Sequence, residues 1–222
     1  MNNSLKCQYL FSFNSDFFKN LFRDFSYPWE IMPHIREITD RLTREGLDGY
    51  TAIGDGILIG KGVRISKSAH IEGPCFIGDG TEIRHGAFLR GSVIIGAGCV
   101  IGNSSEIKNA VLMDRVQVPH FNYVGDSILG EGAHLGAGAI CSNLRSDGKS
   151  VRIGNGDDRI DTGMRKLGAI LGDGVEVGCG TVLCPGTVIG KNTSVYPLVS
   201  ARGIYPENSV VKATDEVVTK KP

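Results

Sequence analysis

The chain has 222 residues, 41 % of them apolar, and balances 24 basic against 24 acidic side chains. That is enough chain for one domain with a sizeable core plus an appendage, and its zero formal charge gives no overall attraction to nucleic acid or to an anionic membrane. Any anion site must be local, and with neither a secretory-type apolar start nor a run of about 18 apolar residues the expected location is cytoplasmic.

Residues 1–45 contain no glycine, since all 31 lie between Gly46 and Gly203, and this sets off an N-terminal segment of residues 1–50. Phe17, Phe18, Leu21, Phe22 and Phe25 suit a short apolar helix entered at Ser15 or Asp16. Ile31, Ile35, Ile38 and Leu42 recur on one helical face, with Gly46 as the C-cap. This segment is expected to be a helical cap that plugs one end of the larger domain.

From Ile53 the chain has a period of six. Ile53, Ile59, Ile65, Ile71, Ile77, Ile83, Leu89, Ile95, Ile101, Ile107 and Met113 are aliphatic without an exception, and the phase resumes at Leu129 and Leu135 and again at Leu171, Val177, Leu183, Ile189 and Val195. One inward aliphatic per six residues, with glycine-containing corners, closes a three-sided coil whose strands pair in parallel with those of the next coil. The expected fold is therefore all-β, a parallel β-helix of about six coils over residues 51–200. Residues 201–222, including the β-rich stretch from Asn208 to Lys212, are expected to cap its other end.

Two interruptions and one outward pair carry the functional signal. Pro119 to Asp126 falls where the phase is lost, and Asn143 to Gly168 is polar and long enough to reach a neighbouring subunit. Arg90 and Lys108 share a hexad position one coil apart, where two like charges repel unless an anion joins them or Glu72 and Asp126 alternate with them along a solvated face. His120 lies in the first interruption beside Asn122, Tyr123 and Asp126, where a neutral imidazole can accept a proton. The six cysteines contain no CxxC pair and read as reduced, mostly buried thiols.

The outward residues Arg90-Gly91, Gly102-Asn103, Glu106 to Ala110, His120, Tyr123 to Asp126 and Leu135 to Gly138 resemble the acetyltransferase domain of the bifunctional N-acetylglucosamine-1-phosphate uridylyltransferase/glucosamine-1-phosphate acetyltransferase family. Asn143-Leu144-Arg145, Thr162-Gly163, Arg165 to Ala169 and Pro185-Gly186 resemble its sugar-1-phosphate nucleotidylyltransferase/acetyltransferase branch, which has a longer loop after that Asn. The resemblance implies a left-handed hexapeptide-repeat β-helix, assembled as a homotrimer with sites between subunits. It implies His120 as general base, Arg90 and Lys108 on the sugar phosphate, Tyr123 and Asn143 on the sugar and amine, and Lys149 and Arg152 completing the acceptor site. Ala137, Asn143, Leu144, Cys179 and Pro197 are the matching positions for acetyl-CoA, the acyl donor.

The expected activity is N-acetylation of an amino sugar 1-phosphate, foremost glucosamine-1-phosphate. About 50 residues precede the solenoid, too few for the family's nucleotidyltransferase domain, so uridylyl transfer is not expected. The alternatives are another amine or hydroxyl acceptor such as a nucleotide-linked sugar, a non-catalytic solenoid that binds a sugar nucleotide or a partner, and a zinc-dependent carbonic anhydrase using His85, His120 and His134, whose spacing fits that last class poorly.

Overall fold

A computed structural model describes residues 3–220 except 155, 157 and 158. From Ile57 the chain runs through short strands that stack, coil upon coil, into three largely parallel sheets, a solenoid of about eight coils. Each face has an inward ladder. The first carries Ile59, Ile77, Ile95, Leu112, Leu129, Leu171, Ile189 and Tyr205. The second carries Ile65, Ile83, Ile101, Val118, Leu135, Val177, Val195 and Val211. The third carries Ile71, Leu89, Ile107, Val124, Cys141, Leu183 and Ala201. These rungs, among them side chains worth about 1.5–3 kcal/mol each when buried, form one continuous core.

The coil count exceeds the expected six for two reasons. Most coils take eighteen residues, as from Cys75 to its partner Val93, but Ala110 faces Val93 after only seventeen. The missing residues are lost at corners where Asn109 (φ 45°) and Asp126 (φ 48°) turn left-handed and shorten the hexad by one. Leu112, rather than Met113, is therefore the rung above Ile95, and Met113 packs in a separate cluster outside the coil. The segment around His120 is no interruption: Gln117–His120 and Tyr123–Gly125 are strands in register with the coil before them. At the far end, Ile204–Tyr205 and Ser209–Ala213 continue the parallel sheets before Glu216–Thr219 folds back antiparallel.

The N-terminal segment does not plug an end; it lies along the first face. That face is apolar outside as well as inside, because Leu58, Phe76, Ile94, Val111, Ile128, Ile170 and Val188 precede its rungs. Helices α1 (Cys7–Leu10), α2 (Asp16–Leu21) and α3 (Ile35–Glu45), with the residues that flank them and the 3-10 helix Pro28–His34, cover it with Leu10, Phe11, Phe18, Phe22, Trp29, Ile31 and Ile35. The Phe17 ring stacks on Phe76 at 4.7 Å, and the Ser12 N–H donates to Asp173 Oδ2 at 2.6 Å. Gly46 caps α3 as anticipated, with φ 74° and its N–H on the Leu42 carbonyl.

Residues 143–168 fold back on their own chain. Arg152–Ile153 and Ile160–Asp161 form an antiparallel hairpin, Val151, Ile153 and Leu167 are fully buried in the outer cluster, and the Leu167 N–H returns to the Asn143 carbonyl at 3.0 Å. Cys7, Cys75, Cys99 and Cys141 are buried, whereas Cys184 is half-buried and Cys179 exposed. Among the described residues no helix is long and apolar enough to cross a membrane.

Candidate active site

The third face offers two outward columns, since every second residue of a strand points away from the core. Nearest the corner that follows the second face stand His70, Phe88, Glu106, Tyr123, Ile140, Val182 and Ser200. The other column runs Glu72, Arg90, Lys108, Gly125, Ser142, Cys184 and Arg202. Arg90 and Lys108 are thus neighbours one coil apart, roughly 4.8 Å in backbone spacing, as their sequence spacing implies.

Each of these cations has a carboxylate partner. Arg90 Nη1 lies 2.7 Å from Glu106 Oε1, and Lys108 Nζ lies 3.4 Å from Asp126 Oδ2. The Glu106 hydrogen bond and charge raise the Arg90 guanidinium above its ordinary value. Register places Gly125 beside Lys108, so Asp126 comes from the next corner, where Asn109 Nδ2 also donates to it at 2.8 Å. Asn143 Nδ2 donates to Asp126 as well and to Tyr123 Oη at 3.1 Å, so Lys108, Asp126, Asn143 and Tyr123 form one chain of contacts. Burial pushes the Tyr123 phenol up, which keeps it protonated at neutral pH. Gly125 makes room for this arrangement: a Cβ there would come 2.7 Å from Asn143 Nδ2 and overlap the Tyr123 ring.

His120 ends its strand with its side chain exposed, at the corner just before Tyr123. Its backbone is fixed by Asn122, which is buried and uses its whole amide. Oδ1 accepts the His120 N–H at 3.0 Å, and Nδ2 donates to the Gly136 carbonyl at 2.7 Å. The same corner repeats down the solenoid. Gly138 donates its N–H to the His120 carbonyl, Gly180 to that of Ala137 and Leu198 to that of Cys179. His120, Ala137, Cys179 and Pro197 therefore form one column on successive coils, with Phe121, Gly138, Gly180 and Leu198 beside them. The Leu198 side chain lies over Gly180, its Cδ2 2.7 Å from where a Cβ would stand, and both Phe121 and Leu198 are exposed.

Lys149 and Arg152 are not brought to the Arg90–Lys108 group within the chain. They line a separate cleft of about 380 Å³ beneath the hairpin, with Arg145, Ser150 and Arg159. Asn143 and Leu144 connect the two regions, because the hairpin segment begins at Asn143 and Leu144 lines the larger hollow of about 720 Å³ that adjoins this cleft. His134 faces Glu176 at 2.7 Å on the second face, and His85 faces Ser68 at 2.6 Å at the corner two coils before His120, in the column that runs through Asn103. Glu106, Asn109 and Asn122 escaped the sequence reading as site residues, although Glu106 and Asn109 flank the Lys108 hexad position directly.

The profile described as the GMPPB C-terminal domain matches residues 71–216. The bifunctional sugar-1-phosphate nucleotidylyltransferase/acetyltransferase of Sulfurisphaera tokodaii is 41 % identical over 88 residues, covering 40 % of this chain and 22 % of that protein. The bifunctional protein GlmU of Methanocaldococcus jannaschii is 34 % identical over 112 residues, covering 50 % and 27 %. The matched region thus spans about a quarter of the length of these curated relatives. Among solved structures, a mutant of AntD, an N-acyltransferase from Bacillus cereus in complex with dTDP and coenzyme A, aligns over 74 % of this chain and 84 % of that one, at 20 % identity and a TM-score of 0.43.

Proposed function

The chain belongs to the GMPPB C-terminal domain family, and from that premise we propose that it is an acetyl-CoA-dependent N-acetyltransferase acting on an amino sugar 1-phosphate, foremost glucosamine-1-phosphate. The reading takes the coils as left-handed and the working assembly as a homotrimer with its sites between subunits. The observation that carries it is the meeting of His120 with two arrays: the polar group of Arg90, Lys108, Tyr123 and Asn143 on one side, and the Ala137, Cys179 and Pro197 column on the other.

Acetyl-CoA supplies an acyl group on a good leaving thiolate. The corner column is assigned to its pantetheine arm, which would lie against backbone beside the exposed Phe121 and Leu198 side chains. His120 takes the proton from the sugar 2-amino group as the nitrogen bonds to the acyl carbon and the carbon–sulfur bond breaks. That proton then goes to the departing thiolate, so the histidine ends as it began. Its exposed imidazole, on a backbone held by Asn122, suits a base that must reach a bound amine. Such a base is worth about 10²–10⁴-fold.

The sugar phosphate is assigned to Arg90 and Lys108. The Glu106 side chain is 32 % exposed and the Asp126 side chain 7 %, so Arg90 can exchange its carboxylate for a phosphate while Lys108 stays fixed by a buried partner. Asn143 and Tyr123 orient the sugar and the amine, and Lys149 and Arg152 reach an acceptor across a subunit boundary. An acceptor panel tests the reading: purified chain, acetyl-CoA and each hexosamine-1-phosphate, with release of the CoA thiol recorded. Release with glucosamine-1-phosphate supports it. Absence of release with every hexosamine-1-phosphate contradicts it.

A further inference from the structure

The column that begins at Arg90 and Lys108 ends, four coils beyond Lys108, at Arg202, with only Gly125, Ser142 and Cys184 between. Over that end the hairpin segment lays Arg145, Lys149, Ser150, Arg152 and Arg159, which line a cleft with no carboxylate in its wall among the described residues. The cleft opens into the larger hollow beside Arg202, lined also by Leu144, Asp147, Ile204 and Asp215. Arg145 is held bidentately by Asp147 at 2.6 and 2.9 Å, and Arg152 lies 3.6 Å from Asp161. Asp147 also accepts the Lys149 backbone N–H at 3.2 Å and is held low by the Lys149 charge beside that of Arg145. Of the five cations gathered here, Arg159 and Arg202 have no carboxylate partner among the described residues.

Such a cluster is costly when empty, because like charges that share one cleft repel. It is also not a floppy surface patch. Val151, Ile153 and Leu167, fully buried, tie the hairpin to the solenoid, and Arg202 directly follows the strand Ser200–Ala201 of the last coils. Cations held in place before a ligand arrives recognise phosphate oxygens with little further ordering, and guanidinium groups do so through paired N–H donors.

We propose that this cleft and the hollow it opens into form a binding site for a diphosphate group, with Arg159 and Arg202 as its unneutralised cations. A diphosphate ester carries two to three negative charges, enough to engage both guanidinium groups, and the rest of the hollow takes the remainder of the molecule. Two sources carry this chemistry: a nucleoside diphosphate, free or sugar-linked, and the adenosine end of CoA. The inference does not rest on acyl transfer, because binding is read directly and a chain inactive as a transferase passes or fails the test independently.

The test is calorimetric titration of the full chain with UDP, inorganic pyrophosphate and UMP, repeated on the Arg159→Ala/Arg202→Ala double variant and on Arg90→Ala. The site predicts that UDP and pyrophosphate bind, that UMP binds at least about tenfold more weakly, and that the double variant weakens UDP about tenfold or more with an unchanged melting temperature. Competition then separates the sources. Displacement of UDP by CoA gives the site to the acyl donor, and simultaneous binding gives it to a separate nucleoside diphosphate. Equal affinity for UDP and UMP, a double variant that binds like the wild type, or loss of UDP binding on Arg90→Ala alone would each overturn the proposal.

Discussion

Replacing Asn122 by Ala probes the joint between scaffold and chemistry. The side chain is 3 % exposed, and the His120 N–H has its hydrogen bond to Asn122 Oδ1 at 3.0 Å. On truncation the Gly136 and Ala139 carbonyls keep backbone donors, from Ala139 and Tyr123 respectively, but the His120 N–H and the Ser105 hydroxyl lose their acceptor. One buried donor left unpaired costs about 1–3 kcal/mol, and loss of the bond to Gly136 adds about 1 kcal/mol, so about 3 kcal/mol is expected. For a chain of this size that lowers the melting temperature by about 6–12 °C. The Phe121 corner, with φ 51°, also loses its brace, so kcat should fall at least about tenfold at a temperature where the variant is fully folded, with the acceptor KM little changed. Scanning calorimetry and initial rates at 15–20 °C read both effects. A variant melting within about 2 °C of the wild type would show that Asn122 is not the brace described.

Gly125→Ala should leave the melting temperature nearly unchanged, since Gly125 lacks a positive φ, yet raise the acceptor KM several-fold by displacing the Tyr123–Asn143 pair; rates at varied acceptor concentration check it. Lys108→Ala leaves the nearly buried Asp126 with only amide donors, so it should both destabilise the fold by about 2 kcal/mol and raise the acceptor KM about tenfold or more, whereas Arg90→Ala, whose partner is more exposed, should raise KM with little loss of stability. Burial pushes the thiols of Cys7, Cys75, Cys99 and Cys141 up to about 12, so a thiol reagent at pH 8 should titrate Cys179 and Cys184 in the native chain and all six only after denaturation. The same shift sets a pH dependence. The folded state holds these protons more tightly than the unfolded chain, whose thiols ionise near 8.5, so stability should decline as pH rises from there towards about 12. Denaturant midpoints measured from pH 8 to 10.5 would show it.

The hexad period was sufficient to foresee parallel coils, three faces and the neighbouring placement of Arg90 and Lys108. The seventeen-residue coils were not foreseen, because deleting one residue at a corner leaves no trace in composition. The eye follows Met113, which is equally aliphatic, while Leu112 takes the rung. The position of the N-terminal segment did leave a signal. The aliphatic doublets Ile94-Ile95, Val111-Leu112, Ile128-Leu129, Ile170-Leu171 and Val188-Ile189 recur coil after coil on the first face, against single cases such as Val100-Ile101 and Val182-Leu183 elsewhere, and a strand apolar on both sides is covered on both sides. The site was legible where a side chain belongs to a strand, as for Arg90, Lys108 and Tyr123. It was illegible where a corner or an insertion decides direction: Asp126 bends across to Lys108, and the hairpin holds Lys149 and Arg152 over the distal end of the column.

The most direct test of the account is single-turnover acetyl transfer to glucosamine-1-phosphate by the wild type and by His120→Ala. The side chain is exposed and the Asn122 brace acts on the backbone, so the variant should fold, melt and bind acceptor like the wild type while its rate of CoA release falls about 10²–10⁴-fold. A variant that turns over at the wild-type rate would contradict His120 as the base and, with it, the acyl-transfer centre placed at this corner.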